Sequence, residues 1–128
     1  MSDPGRFEGR RILVVDDDPD ILASTALSLR TEGAEVVTAE DGNTAVSRYA
    51  QARPDGVVLD MMLPRRSGFL VLEKIRESAD SPPVVMVTAN QGRRHMTYAE
   101  NLGVTAYLVK PVSMPHLLDV LAESMGLD

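Results

Sequence analysis

Residues 12–19 read ILVVDDDP, four apolar residues followed directly by three aspartates and a proline. An apolar run without alternating polar residues is typical of a strand that is covered on both faces of its sheet. Asp18 followed by Pro19 is typical of a helix start, because Asp caps the first turn and Pro fits the first helical position. The stretch therefore predicts a buried parallel strand, an acidic loop and a helix.

The same pattern recurs along the chain. Short apolar runs predict strands at residues 12–15, 35–39, 57–59, 84–87 and 107–109. Between them, apolar residues recur at helical spacing, as in Leu22, Ala26 and Leu29, although the stripe in residues 93–101 is thin. Strict alternation of strands and helices predicts a doubly wound α/β fold, with a parallel five-stranded sheet in the order 2-1-3-4-5.

Composition excludes several classes of protein. The chain has 128 residues, 44% hydrophobic and 25% charged, which indicates one soluble globular domain. The absence of cysteine excludes disulfide scaffolds and thiolate zinc sites, and the net charge of −6 disfavours nucleic-acid binding. The apolar runs are too short for a membrane span, and the N-terminus lacks the apolar stretch of a signal peptide. We expect a cytoplasmic protein with a short tail over residues 1–10 and a single domain over residues 11–126.

Polar side chains follow four of the predicted strands, where a doubly wound sheet places its binding site. These residues are Asp16 and Asp17 after the first strand, Asp60 after the third, Thr88 after the fourth and Lys110 after the fifth. In the predicted strand order, the first and third strands are neighbours that flank the switch point. We therefore expect Asp16, Asp17 and Asp60 to converge in one crevice, with Thr88 and Lys110 on its far wall.

Converging carboxylates must be neutralised, because like charges 4 Å apart cost ~4 kcal/mol at an effective dielectric constant of 20. Either a shared proton or a hard divalent cation achieves this. Oxygen ligands without cysteine favour Mg²⁺, with Asp17 as a direct ligand and Asp16 binding through water. Asp60 is then a candidate nucleophile for phosphoryl transfer, with Lys110 as the compensating cation and Thr88 as a hydroxyl donor.

Four segments together resemble a response-regulator receiver domain. They are VVDDDP at residues 14–19, LDMMLPRRSG at 59–68, VTA at 87–89 and YLVKP at 107–111. Each segment alone is a weak signal, whereas four in this order at strand ends are specific. The resemblance covers roughly residues 11–125 and implies a flavodoxin-like (βα)5 fold.

The resemblance also implies a function in two-component or phosphorelay signalling of the bacterial type. Asp60 would accept a phosphoryl group from a sensor histidine kinase or a histidine phosphotransfer protein. Mg²⁺, with Mn²⁺ as a substitute, would be held by Asp17, Asp60 and the backbone carbonyl of Met62. The Lys110–Pro111 peptide bond would be cis, as X–Pro bonds permit.

A switch between two states is implied in the same way. Thr88 would move towards the phosphoryl group, and Tyr107 would turn inward with it. This change would remodel the surface of the fourth helix, fifth strand and fifth helix, where a downstream effector protein or domain docks. The chain would be a monomer or a phosphorylation-dependent dimer, with no nucleic-acid or membrane partner. It would catalyse only its own phosphorylation and dephosphorylation.

Three features depart from the commoner pattern of such domains. Val104 and Thr105 stand where Ala and Asp are frequent, Met62 offers no polar side chain near the site, and Asn90 lies two residues past Thr88. In such domains, the positions that Met62 and Asn90 occupy here tune the lifetime of the phosphoryl group. These departures affect the expected kinetics rather than the expected class.

Other functions remain open at this point. A flavodoxin-like cofactor-binding domain needs a Gly-, Ser- or Thr-rich loop after the first strand, but here that loop is acidic. A phosphatase with an aspartyl nucleophile usually carries a second Asp two residues on, where this chain has Met62. A phosphorylation-independent interaction scaffold is disfavoured by the intact acidic residues and Lys110. The cognate kinase, the effector, and whether the chain is a stand-alone protein or part of a longer regulator also stay open.

Overall fold

Strands and helices alternate throughout residues 5–89 and 92–127, which the computed structural model of this chain describes. The elements are β1 (Arg11–Val15), α1 (Pro19–Thr31), β2 (Glu35–Ala39), α2 (Gly42–Ala52), β3 (Gly56–Leu59), α3 (Gly68–Arg76), β4 (Val84–Thr88), α4 (Arg93–Asn101), β5 (Ala106–Val109) and α5 (Met114–Ser124). The strands form one parallel sheet in the order β2-β1-β3-β4-β5. The predicted doubly wound (βα)5 fold and its strand order are confirmed.

The register of the central strands sets the position of the site. β1 and β3 are neighbours, and Val15 is level with Leu59 at their carboxyl ends. The backbone N–H of Asp60 donates to the carbonyl oxygen of Val15 at 3.0 Å. Asp16 and Asp60 directly follow Val15 and Leu59, and they therefore lie side by side where the two strands end.

Two hydrophobic clusters cover the two faces of the sheet. Because successive strand residues point to opposite faces, Ile12 and Val14 join one cluster, whereas Leu13 and Val15 join the other. The first cluster also contains side chains of α1 and α5, and the second contains side chains of α2, α3 and α4. This explains why every residue of β3 and of β4 is buried and apolar up to Thr88.

Side-chain caps begin most of the helices. Asp18, the predicted cap of α1, accepts hydrogen bonds from the backbone N–H groups of Asp20 and Ile21. Ser67 and Ser113 cap α3 and α5 in the same way. α4 begins without a side-chain cap. The structure describes all nine residues of this helix, and of these only Ala99 is buried. The fourth helix is therefore the least firmly anchored of the described helices, in line with its thin apolar stripe.

The segment predicted as an N-terminal tail contributes a core residue. Phe7 is fully buried in the cluster beneath α1 and α5. Arg6 beside it forms ion pairs with Glu32 at 2.8 Å and Asp119 at 2.6 Å, which joins the end of α1 to α5. A single aromatic residue in a segment without strand or helix periodicity gives no sequence signal of burial, and residues 1–4 of this segment lie outside the described part.

Candidate functional site

The carboxyl ends of β1 and β3 carry a cluster of three carboxylates. Asp16 and Asp60 are buried, whereas Asp17 is exposed at the mouth of the crevice. Each of the three offers a carboxylate oxygen, and these oxygens all lie within 4.8 Å of one another. The structure thus brings together the three aspartates that the sequence placed at neighbouring strand ends.

Lys110 lies between the two buried carboxylates. Its Nζ atom is 3.1 Å from Oδ2 of Asp16 and 3.3 Å from Oδ2 of Asp60. Burial by itself lowers the pKa of Lys110, but the hydrogen bonds and negative charges of the two aspartates outweigh it and raise that pKa. The lysine is therefore held as a cation, although its side chain is only 23% exposed.

The environment of Asp60 is less favourable for a charged carboxylate than solvent is. Burial raises its pKa, and the neighbouring charge of Asp16 acts in the same direction. The hydrogen bond from Met62 and the charge of Lys110 lower the pKa of Asp60 but do not fully compensate. A second positive charge in the crevice would stabilise the ionised carboxylate that nucleophilic attack requires.

Backbone groups fix the direction of the buried carboxylates. Oδ1 of Asp16 accepts a hydrogen bond from the N–H of Asp18 at 2.9 Å, and Oδ1 of Asp60 accepts one from the N–H of Met62 at 3.1 Å. In both residues the other oxygen, Oδ2, contacts Lys110. Each carboxylate therefore has one oxygen held by the main chain and one oxygen that faces the centre of the site.

Thr88 and Tyr107 lie on the far side of the crevice, at the β4 and β5 edge. Thr88 is fully buried at the end of β4, and its carbonyl oxygen accepts the N–H of Lys110 at 2.8 Å. Tyr107 is half-buried against the cluster of α2, α3 and α4, and burial raises the pKa of its hydroxyl. The Lys110–Pro111 peptide bond is cis.

The loop that follows Asp60 is closely packed against the start of α3. The N–H of Gly68 donates to the carbonyl of Met61 at 2.8 Å, and a Cβ atom at Gly68 would overlap the backbone of Asp60 and Met61. Met61 is buried, whereas the side chain of Met62 is 60% exposed and fills no core space. Asn90, the other position expected to affect the phosphoryl lifetime, lies outside the described residues.

The departure at Thr105 has a structural role that the sequence did not reveal. Its hydroxyl oxygen accepts the N–H of Val84 at 3.0 Å, so the side chain caps the start of β4. Arg76 binds the same hydroxyl at 3.4 Å and also donates to the carbonyl oxygens of Pro82 and Gly103. These contacts fasten α3 to the amino-terminal edge of the sheet, at the end opposite the acidic crevice.

The residues of the crevice fit a hard divalent cation. The three described carboxylates offer oxygen ligands, which Mg²⁺ prefers, and three carboxylates opposed by one lysine leave an excess of negative charge. Neither donor chemistry nor charge suits a phosphate-bearing cofactor bound directly to this loop. Among residues 5–89 and 92–127, no helix is long and apolar enough to cross a bilayer.

Comparisons with known proteins agree with this geometry. The family model described as "Response regulator receiver domain" matches residues 12–122. The chain is 39% identical over 108 residues to "Response regulator MprA" of Mycolicibacterium vanbaalenii, covering 84% of this chain and 47% of that protein. It is 37% identical over 107 residues to "Probable transcriptional regulatory protein TcrX" of Mycobacterium tuberculosis, covering 84% and 46%. The chain thus spans about half the length of these curated relatives.

A solved structure shares the fold over nearly its whole length. The "response regulator receiver domain protein (CheY-like)" of Methanospirillum hungatei superposes with a TM-score of 0.88 at 32% identity, covering 91% of this chain and 94% of that one. The family match begins within β1 and ends in α5, so it includes every strand end that contributes to the acidic crevice. Because fold, crevice and sequence match coincide over the same residues, the chain belongs to the response regulator receiver domain family.

Proposed function

We propose that this chain is a phosphorylation-switched module of a two-component or phosphorelay system, in which Asp60 accepts the phosphoryl group. One observation carries the proposal: Lys110 bridges the buried carboxylates of Asp16 and Asp60, with an oxygen of Asp17 in reach of both. A cluster of this kind is costly to bury for structural reasons alone. It is suited to a reaction in which charge on the phosphoryl oxygens must be stabilised.

The carboxylates of Asp16, Asp17 and Asp60 and the backbone carbonyl of Met62 would hold Mg²⁺, or Mn²⁺ in its place. Asp17 is exposed and suits direct coordination, whereas Asp16 already binds Lys110 and the N–H of Asp18 and suits contact through water. When bound, the cation supplies positive charge that neutralises the carboxylates and the phosphoryl oxygens.

The chain's own residues then perform the transfer. A carboxylate oxygen of Asp60 attacks the phosphorus atom of a phosphohistidine on a sensor kinase or phosphotransfer protein. The new P–O bond forms as the P–N bond breaks, and the electron pair of that bond leaves with the imidazole. Lys110 moves its Nζ hydrogen bond from the carboxylate to a phosphoryl oxygen, and the hydroxyl of Thr88 donates to another. Beyond this step and the later hydrolysis, we propose no enzymatic activity.

The signal would leave through α4, β5 and α5. Thr88 and Tyr107 connect the crevice to this surface. Among the described residues of α4, only Ala99 is buried, so this helix is the least firmly packed of the described helices. Contacts that only the phosphorylated form makes would shift the position of these elements, as a two-state switch requires. The partners would be a histidine kinase or phosphotransfer protein and a downstream effector protein or domain. We place the chain in the cytoplasm, as a monomer or a phosphorylation-dependent dimer.

Labelling with acetyl phosphate tests this function. We expect intact mass spectrometry to show one acid-labile phosphoryl group on the wild type with Mg²⁺ present, and none with a chelator. Asp60→Asn should abolish the labelling, whereas the matched variant Asp55→Asn, in the loop before β3, should label normally. Normal labelling of Asp60→Asn would show that another residue is the acceptor. A phosphorylation-independent scaffold predicts no labelling of the wild type and equal partner binding in both states.

A further inference from the structure

The loop between Asp60 and α3, residues 61–67, rests on the first residues of α2. The N–H of Gly42 donates to the carbonyl of Pro64 at 3.2 Å, and Nε of Arg66 donates to Oδ1 of Asn43 at 3.2 Å. Nε of Arg65 lies 3.9 Å from Oδ2 of Asp41. Consecutive residues at the start of α2 thus meet consecutive residues of the loop.

The contact at Gly42 leaves no room for a side chain. A Cβ atom there would overlap the carbonyl oxygen of Arg66 and lie 2.6 Å from its carbonyl carbon. These are backbone atoms, which cannot rotate away as the end of a side chain can. Glycine is therefore required here by the close approach of two backbones, and any larger residue must displace the loop.

The other end of the loop is also closely packed. Gly68 packs against the backbone of Asp60 and Met61, where a Cβ atom also has no space. Arg65, in the middle of the loop, has a left-handed backbone with φ of 71°. A side chain at position 42 would therefore displace the part of the loop between these two close contacts. This part begins with Met62, whose N–H donates to Oδ1 of Asp60.

We propose that Gly42 and Asn43 are positioning residues for the Asp60 site, because the start of α2 sets the loop that holds Met62 against Asp60. The inference rests on the proposed function, in which the carbonyl of Met62 and the carboxylate of Asp60 bind the cation. It assigns a role in metal affinity to a helix that contributes no ligand.

Gly42→Ala tests the role of the backbone contact, with Gly56→Ala as a matched control. Gly56 is also tightly packed, but against the flexible side chain of Met125, and it lies at the end of β3 remote from Asp60. We expect both variants to lower the Tm. Gly42→Ala alone should raise the Mg²⁺ dissociation constant, measured by titration calorimetry on the full chain, by about 10-fold. It should also speed amide hydrogen exchange at Met62 in the metal-free protein.

Asn43→Ala gives a test that does not depend on tolerance of an added Cβ. Alanine is a better helix former than asparagine, so the Tm should not fall. The loss of the Arg66 contact should nevertheless raise the Mg²⁺ dissociation constant roughly two- to threefold. A purely structural role of the contact predicts the opposite combination, a lower Tm with unchanged affinity. If Gly42→Ala fails to fold, this variant decides the question.

Unchanged Mg²⁺ affinity in Asn43→Ala or in folded Gly42→Ala would overturn the inference, as would an equal loss of affinity in Gly56→Ala. Failure of the proposed function would be seen separately, as normal labelling of Asp60→Asn. If Asp60 is the acceptor but the α2 variants bind Mg²⁺ normally, the proposed function stands and the positioning role is wrong.

Discussion

Lys110 and Asp60 are 50 residues apart in the sequence, and their Nζ and Oδ2 atoms lie 3.3 Å apart at the carboxyl edge of the sheet. The same lysine contacts Asp16, 94 residues away. Parallel strands place all their carboxyl ends at one edge, so residues from distant parts of the chain meet there without any long loop. The pair therefore joins two strands of the fold and the two principal groups of the proposed reaction.

Replacing this lysine should slow phosphorylation without unfolding the protein. In Lys110→Ala, the buried carboxylates lose their cation, and no ammonium group stabilises the charge that develops on the phosphoryl oxygens. We expect acetyl phosphate to label Asp60 on the order of 10²-fold more slowly at saturating Mg²⁺, as followed by intact mass. The control is Lys74→Ala, since Lys74 forms an exposed ion pair with Glu77. Equal labelling rates in the two variants would contradict the role of Lys110.

The buried Phe7 should contribute to stability and not to the reaction. Phe7→Ala removes a fully buried side chain from the cluster beneath α1 and α5, and we expect a loss of about 3–5 kcal/mol in the free energy of unfolding. Urea denaturation measures this, with Leu27→Ala as the control because Leu27 is 66% exposed. The folded variant should still be labelled on Asp60. A loss no larger than that of the control would show that the segment does not pack as described.

Asp41 should make the stability depend on pH. It caps α2, and the hydrogen bond from the N–H of Thr44 lowers the pKa of its carboxyl group. The stabilisation is therefore present above the ordinary carboxyl pKa and is lost as the pH falls below about 4, where the unfolded chain takes up the proton first. Asp41→Asn keeps a capping oxygen but no charge. We expect the wild type to have a higher Tm than this variant at pH 7, and this difference in Tm should shrink in acid. A difference that does not change with pH would exclude the carboxylate charge as its cause.

The sequence predicted the sheet and the polar residues that lie together at its carboxyl edge, for a clear physical reason. Buried parallel strands read as continuous apolar runs, so the observed strands match the predicted ones to within one residue at each end. Residues that follow such runs must lie at one edge of a parallel sheet. The order of the apolar runs was therefore sufficient to predict that Asp60 and Lys110 lie close together.

Contacts between single residues that are far apart in the sequence could not be predicted. Phe7, the Arg76–Thr105 hydrogen bond and the contact of Gly42 with Arg66 follow no periodicity, and each depends on how two loops or helix ends approach each other. Thr105 could be recognised as a departure from the family pattern, but its bond to Val84 depends on how the loop before β5 meets β4. Local patterns thus identify the polar residues that lie together at the carboxyl edge of the sheet, whereas the contacts that hold them become visible only in the three-dimensional fold.

The central claim is that carboxylates from two chain segments bind one hard cation, and paramagnetic broadening by Mn²⁺ tests it most directly. In amide NMR spectra of the full chain, substoichiometric Mn²⁺ should broaden residues 16–18 and 60–62 together. Excess Mg²⁺ should restore both groups of signals, and Asp17→Asn should weaken both effects in parallel. Broadening confined to one of these segments, or centred elsewhere on the acidic surface, would contradict the account.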